Sequence, residues 1–385
     1  MTSIERLRMR VSVFLGFALL CVPLLPGWAQ SVVATVPVGI EPAAVAVNTL
    51  TNKVYVAGGG VVTVIDGETN RTATIPVGSR PVAIEVNAVT NKIYVVNQGI
   101  PLRNIRGSVT EIDGVSNSTV TIRDPHATFP IAVGVNPVTD KIYVTNFNGN
   151  VTVIDGRTRL TTTLTDRNGA FAYPIAVAVN SVTNKIYVAS VNNGSVAIID
   201  GLTNSITSVP VTDRNVLSPV ALAINSVTNK IYVANNGLLR NTSNAGNITV
   251  IDGRTDSTTV ITNPHAVSPV AVAANSATNK IYVANSGVAT VALVTHGNVT
   301  VLDGATNAIS TVTDPKGVTP QNVAVNSFNN KIYVANDGSN VTVINGRTNS
   351  FVTVTNPRAQ ASVGAPLAVD PVTDRIYTAN CIAIT

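Results

Sequence analysis

Few side chains in this chain have the type and spacing that catalysis or ligand capture needs. Three histidines, His126, His265 and His296, are widely dispersed, and beyond Cys21 the only cysteine is Cys381. A structural zinc site needs four clustered Cys or His ligands, which such dispersal does not offer. His126 and His265 also fall at the same place in the segments DPHATFP and NPHAVSP, a repetition that reads as loop structure. There is no GxSxG nucleophile turn, no phosphate-binding GxxxxGK[ST] loop and no haem-attachment motif. The sequence thus implies no cofactor and no metal, and it assigns no catalytic residue.

The remaining candidates are residues that interrupt a pattern. Glu85 stands where the corresponding segments carry Ala46, Gly134, Ala178, Ala223, Ala273, Ala324 and Ala368, and Asn322 stands where most others have alanine. Three long polar segments, Asn97 to Ser108, Asn235 to Asn247 and Asn285 to Asn298, bring Arg103, Arg106, Arg240 and His296. Guanidinium groups suit anionic or planar partners, and an imidazole can exchange a proton near neutral pH. These six residues form the candidate binding set.

The elements that must position them are repeats. One phrase recurs eight times, from NTLTNKVYVAG at Asn48 to DPVTDRIYTAN at Asp370, and its tyrosines are Tyr55, Tyr94, Tyr143, Tyr187, Tyr232, Tyr282, Tyr333 and Tyr377, between 39 and 51 residues apart. Such a period matches one four-stranded propeller blade. Each copy resolves into four β runs: an alternating apolar run such as Pro174 to Asn180, then KIYVAN after a Thr-Asn-Lys turn, then NVTVIDG ending in a turn, then a Thr- and Val-rich run. No helical apolar stripe interrupts them. One leading run (Ser31 to Val38), seven complete copies of four and three trailing runs ending at Cys381 to Thr385 count to 32 strands. The expected fold is therefore an all-β propeller of eight four-stranded blades, the N-terminal strand closing the last one. The alternative is seven blades.

The repeated residues read as structural. Lys53, Lys92, Lys141, Lys185, Lys230, Lys280 and Lys331, with Arg375 in the eighth copy, read as charges capping exposed turns. The tyrosines read as inter-blade packing with hydrogen-bonded hydroxyls, and the aspartates before glycine read as acceptors for amides of their own turns. Loops after the second strand and between blades vary in length and share one face, where function is expected to sit.

The segments IYVTN at Ile142 to Asn146, IYVAN elsewhere and the trailing VTVIDG resemble the YVTN family of β-propeller repeat proteins, across essentially all of residues 31 to 385. The resemblance implies the propeller fold and a bacterial or archaeal protein that is exported or held at the cell surface. Its functions are mixed, so the resemblance implies no particular activity. This chain departs from many members by using Asn-x-x-Thr-Asn-Lys in place of Pro-Asp-Gly before the tyrosine strand.

The N-terminus points to export. Arg6, Arg8 and Arg10 precede an apolar run from Val11 to Leu25, and Gly27 and Ala29 supply small residues for cleavage. Residues 1–29 are expected to be a signal peptide and residues 30–385 a single propeller domain, secreted, periplasmic or on the cell surface, with no membrane span after cleavage. Of 25 basic and 20 acidic residues, removal of the leader takes three and one, so the mature charge is +3. That is too small for a phosphate-reading nucleic-acid binder. With one cysteine left, no intrachain disulfide can form. A propeller hydrolase would ring its axis with carboxylates, and only Glu85 and Glu41 are placed near it. The resulting expectation is a monomeric, non-catalytic scaffold or binding module that recognises a protein or glycan of the envelope, or a small molecule, through its variable-loop face. A lyase or hydrolase at the same face or channel, and a weak periplasmic nucleic-acid binder, are the alternatives.

Overall fold

The structure is a computed structural model and describes residues 30–166, 168–211, 218–237, 245–289, 294–337, 340–356 and 366–379. Residues 1–29, expected to be a signal peptide, and the tail Cys381 to Thr385 lie outside the described residues. Among the described residues no helix is long and apolar enough to cross a membrane.

Val-, Ile- and Thr-rich alternation gives strands, and the short turns between them make each blade a meander. Among the described residues seven sheets are four-stranded and antiparallel, each built in chain order from its inner strand outward. The blades span Pro42–Pro76, Pro81–Ile122, Pro130–Leu164, Pro174–Pro210, Ser218–Val267, Pro269–Val312 and Thr319–Thr355. The expected eight four-stranded blades are therefore corrected to seven. Among the described residues the eighth copy of the repeat forms a hairpin, Leu367–Asp370 paired with Arg375–Thr378. Ser31 to Val38 is not a strand. A β-prone sequence becomes a strand only where a neighbour offers a ladder of amides and carbonyls, and the described contacts of this segment are with side chains. Val36 and Val38 pack against Val54, Val56 and Ile65 of blade 1 together with Tyr377 and Ala379, and the Gly39 amide donates to Thr63 Oγ1 at 3.1 Å. The hairpin fills the seam from the other side, where Leu367, Val369 and Ile376 pack on Tyr333, Val341 and Val343 of blade 7.

Packing between blades forms the core. Tyr143, Val151, Val153 and Leu164 of blade 3, for example, meet Ile186, Val188, Ala197 and Ile199 of blade 4, and burying each such aliphatic contributes roughly 1.5–3 kcal/mol.

The repeated polar residues tie the ring together on the face opposite the variable loops. The residue before each lysine or Arg375 (Asn52, Asn91, Asp140, Asn184, Asn229, Asn279, Asn330 and Asp374) has φ between 51° and 54°, a left-handed conformation that Asn and Asp tolerate. This bend aims the lysine sideways. Six lysines donate from Nζ to the carbonyl of the Asp-Gly (Asn-Gly in blade 7) glycine in the next blade, Gly114, Gly156, Gly201, Gly253, Gly304 and Gly346, at 2.6–3.0 Å. Lys331 reaches Asp374 Oδ2 at 3.1 Å, and Arg375 closes the circuit on the Gly67 carbonyl of blade 1. A second circuit runs through the motif asparagines, from Asn48 to Asn91 through to Asn326 to Asp374, at 2.8–3.0 Å. The lysines thus clasp neighbouring blades rather than capping their own turns. A glycine is required where they land: a Cβ on Gly201 would overlap Asn184.

The aspartates do serve their own turns, as Asp66 does by accepting from the Glu68 and Thr69 amides. The tyrosine hydroxyls depart from expectation. Those of Tyr55, Tyr94, Tyr143, Tyr187, Tyr232, Tyr282 and Tyr377 are buried without a hydrogen-bond partner, and only Tyr333 bonds, to Asp374 Oδ1 at 3.2 Å. Burial pushes the Tyr282 phenol up to about 12, since an ionised ring would lose its hydration.

Candidate functional site

Each complete inner strand opens with a β-bulge at its proline, as between Pro81 and Ala83 or between Pro174 and Ala176. Bulges bend a strand and re-aim side chains. In five repeats the residue before that proline is also left-handed: Glu41, Arg80, Phe129, Tyr173 and Ser268, with φ between 49° and 59°. Its carbonyl accepts the amide that follows the second strand, from Gln98 to Arg80, Phe147 to Phe129, Val191 to Tyr173 and Ser286 to Ser268, at 2.9–3.1 Å. The backbone is fixed by repeat geometry while the side chain it displays differs from blade to blade. These positions lie at the loop-face ends of the inner strands.

The loop of blade 2 is folded, not slack. Ile100 and Ile105 pair as an isolated antiparallel bridge around a short 3-10 turn, Pro101–Arg103. Gln98 and Gly99 are anchored to the Arg80 and Ser79 carbonyls at 2.9 and 3.0 Å. At its tip Leu102 is 101% exposed, beside exposed Arg103 and Arg106. Blade 6 adds a small hairpin, Val288–Ala289 with Val294–Thr295, followed by exposed His296. Blades 2 and 6 are not neighbours in the ring, so Arg103 and Arg106 share a face with His296 without meeting it. Arg240 lies outside the described residues.

Glu85 and Asn322 sit on inner strands, away from the loops. Asn322 is half-buried and its Oδ1 accepts the adjacent Val323 amide at 2.9 Å, a local backbone role. Glu85 is reached by solvent, between half-buried Val86 and buried Ile84. Surrounding protein nevertheless strips its carboxyl of much of its hydration and pushes it from 4.5 up to about 7. An unfolded chain releases this proton near pH 4.5, whereas the fold holds it to about 7, so stability falls as pH rises through that window. The full effect would approach about 3 kcal/mol, and water around the side chain reduces it to about 1 kcal/mol. Glu85→Gln is therefore expected to raise the urea midpoint at pH 8 and leave it unchanged at pH 4. Equal effects at both pH values would contradict the assignment.

His126 lies in a turn, as expected, with its amide donating to Asp124 at 2.9 Å, whereas His265 falls inside the outer strand of blade 5, Thr258–Val267, its amide donating to Asn263 at 2.9 Å. Asp124 in turn accepts from Thr152 and Thr163 at 2.6 and 2.7 Å. Burial alone would raise its carboxyl, but these hydroxyls and the His126 amide outweigh burial and hold it below the ordinary value. Asp314 makes the equivalent bonds to Thr342 and Thr353 at 2.6 and 2.7 Å. Both carboxylates face inward and serve the scaffold. Among the described residues no group of three His, Cys, Asp or Glu side chains is placed to hold a metal.

Reading by repeats passed over an aromatic corner on this face. Phe147 and Tyr173 stand edge to face with ring centroids 4.0 Å apart and planes at 70°, and they are 38% and 42% exposed. The available signal was the variable residue before each inner-strand proline, which is aromatic at Phe129 and Tyr173 alone. No protein-family model matches this chain, and no curated protein does either.

Proposed function

We propose that this chain is an exported, non-catalytic β-propeller of the YVTN kind that recognises a protein or glycan of the cell envelope through its variable-loop face. One observation carries the reading: the repeated lysines, asparagines and aspartates are spent on clasps and turns on one face, while the pre-folded blade 2 loop on the other holds Leu102 fully exposed between bonded anchors. A loop already held in shape loses less entropy on binding, and a bare apolar tip flanked by Arg103 and Arg106 has the composition of an interface anchor. The basic, apolar and small-residue order of residues 1–29 supports export.

The test is capture from envelope extract by the immobilised mature chain. The triple variant Leu102→Ser, Arg103→Ala, Arg106→Ala replaces exposed side chains, so its melting midpoint should stay close to the parent's, while retention of the captured partner should fall at least tenfold. Undiminished retention by the triple variant would remove blade 2 from the binding surface.

A further inference from the structure

Six aromatic residues beyond residue 29 lie outside the repeated tyrosine position, and four of them fall in loops flanking blade 3: Phe129 between blades 2 and 3, Phe147 between the second and third strands of blade 3, and Phe171 and Tyr173 between blades 3 and 4. Phe171 is buried at 2% in the core shared by blades 3 and 4. Tyr173 and Phe129 hold left-handed backbones, φ 59° and 56°. For a bulky aromatic residue that conformation is strained by about 1–2 kcal/mol, and Gly or Asn would relieve it. The rings are therefore displayed against a local cost.

The surroundings of the Phe147–Tyr173 corner define what could stack there. Asn148 and Asn192 are exposed beside it. Asn148 is oriented by the Thr128 amide at 3.2 Å and the His126 carbonyl at 3.1 Å, and the Asn192 amide donates to Ala172 at 3.1 Å. The nearby carboxylates are turned inward: Asp124 onto threonine hydroxyls, and Asp166 onto the Asn168 and Ala170 amides at 3.2 and 2.8 Å. The exposed His126 ring lies 3.6 Å from Asp124. Two rings inclined at 70°, edged by carboxamides and, among the described residues, without an outward carboxylate, match a neutral ligand with one apolar face and a rim of hydroxyl or amide groups. A pyranose ring has that character: its C–H face packs on an aromatic face, and its hydroxyls need donors and acceptors such as Asn offers.

We propose that the Phe147–Tyr173 corner is a stacking subsite for a pyranose unit of a neutral glycan. This names a ligand class for the loop face and rests on that reading. Binding of cellotetraose and chitotetraose to the full mature chain is measured by calorimetry and by saturation transfer from protein to ligand protons. The expected result is millimolar affinity for at least one of them, lost at least tenfold in Phe147→Ala and in Tyr173→Gly and kept in Tyr173→Phe. Tyr173→Gly guards against misfolding, because it relieves the left-handed strain and should melt no lower than the parent. Absence of binding to both oligosaccharides, or binding unchanged in Tyr173→Gly, overturns the proposal. The Leu102/Arg103/Arg106 triple variant should keep its oligosaccharide binding. If that variant loses envelope capture while neither oligosaccharide binds the parent, the subsite is wrong and the loop-face reading stands.

Discussion

Tyr282→Ala is expected to lower the stability of the fold by about 4 kcal/mol, whereas Tyr282→Phe should leave it unchanged or raise it by up to about 1 kcal/mol. The ring is fully buried between blades 6 and 7, against Val323, Ile332, Val334 and Ile344. Its removal forfeits the burial of a large side chain and leaves a cavity in an interface shaped on both sides by strands. The hydroxyl contributes nothing comparable, because it is buried with no partner, and deleting an unsatisfied polar group removes a desolvation penalty. Tyr333→Phe supplies the contrast. Its hydroxyl bonds Asp374, so the same deletion should cost about 1 kcal/mol there. Urea unfolding of the three variants separates packing from hydrogen bonding, and a loss in Tyr282→Phe equal to that in Tyr333→Phe would contradict the distinction.

The second large effect concerns one pair that breaks the repeat at a blade interface. Glu111 of blade 2 occupies the position of Val64, Val153, Ile198, Val250, Val301 and Val343, and Arg159 of blade 3 occupies that of Asn70, Asn117, Asn204, Asn307 and Asn349. The Glu111 side chain is 3% exposed, and Arg159 grips it with Nη2 at 2.9 Å and Nε at 3.3 Å, while Lys92 Nζ lies at 3.3 Å. In Arg159→Asn the carboxylate stays buried with Lys92 as its remaining cation, and the loss of a charge-assisted bidentate bond to Glu111 is expected to destabilise the fold by about 2 kcal/mol. Glu111→Val together with Arg159→Asn restores what most other blades carry at these positions, and it should return stability to the parent level or above, since replacing a buried ion pair by well-packed apolar groups is often neutral or stabilising. A double variant no more stable than Arg159→Asn would mean that blades 2 and 3 have adapted their packing to the pair.

That pair shows how far the chain could be read in one dimension. Glu111 and Arg159 are each visible as breaks in a repeat, yet nothing in their separation marks them as partners, because the register between neighbouring blades exists only once the sheets are packed. The aromatic corner was missed for the same reason. Phe147 follows a strand of blade 3 and Tyr173 precedes one of blade 4, and the bulge and left-handed backbone at the start of the latter help bring their rings together. That the variable loops share one face, in contrast, was legible, since strand order alone places both kinds of variable connection at one end of every blade.

The four-stranded blade, its turns and the side of the ring on which variability collects follow from the sequence by itself, because alternation, Asn-Lys and Asp-Gly turns, and period are local properties of the chain. Tertiary structure alone decided three further matters. At the closure, the described residues of the eighth copy form a two-stranded hairpin, and Val36 and Val38 pack on blade 1 through their side chains, an arrangement that β-prone residues alone do not specify. The lysines became clasps because the left-handed residue before each one turns it toward the next blade's carbonyl. The tyrosine hydroxyls went unpaired because the packing that buries the rings brings no acceptor to seven of the eight.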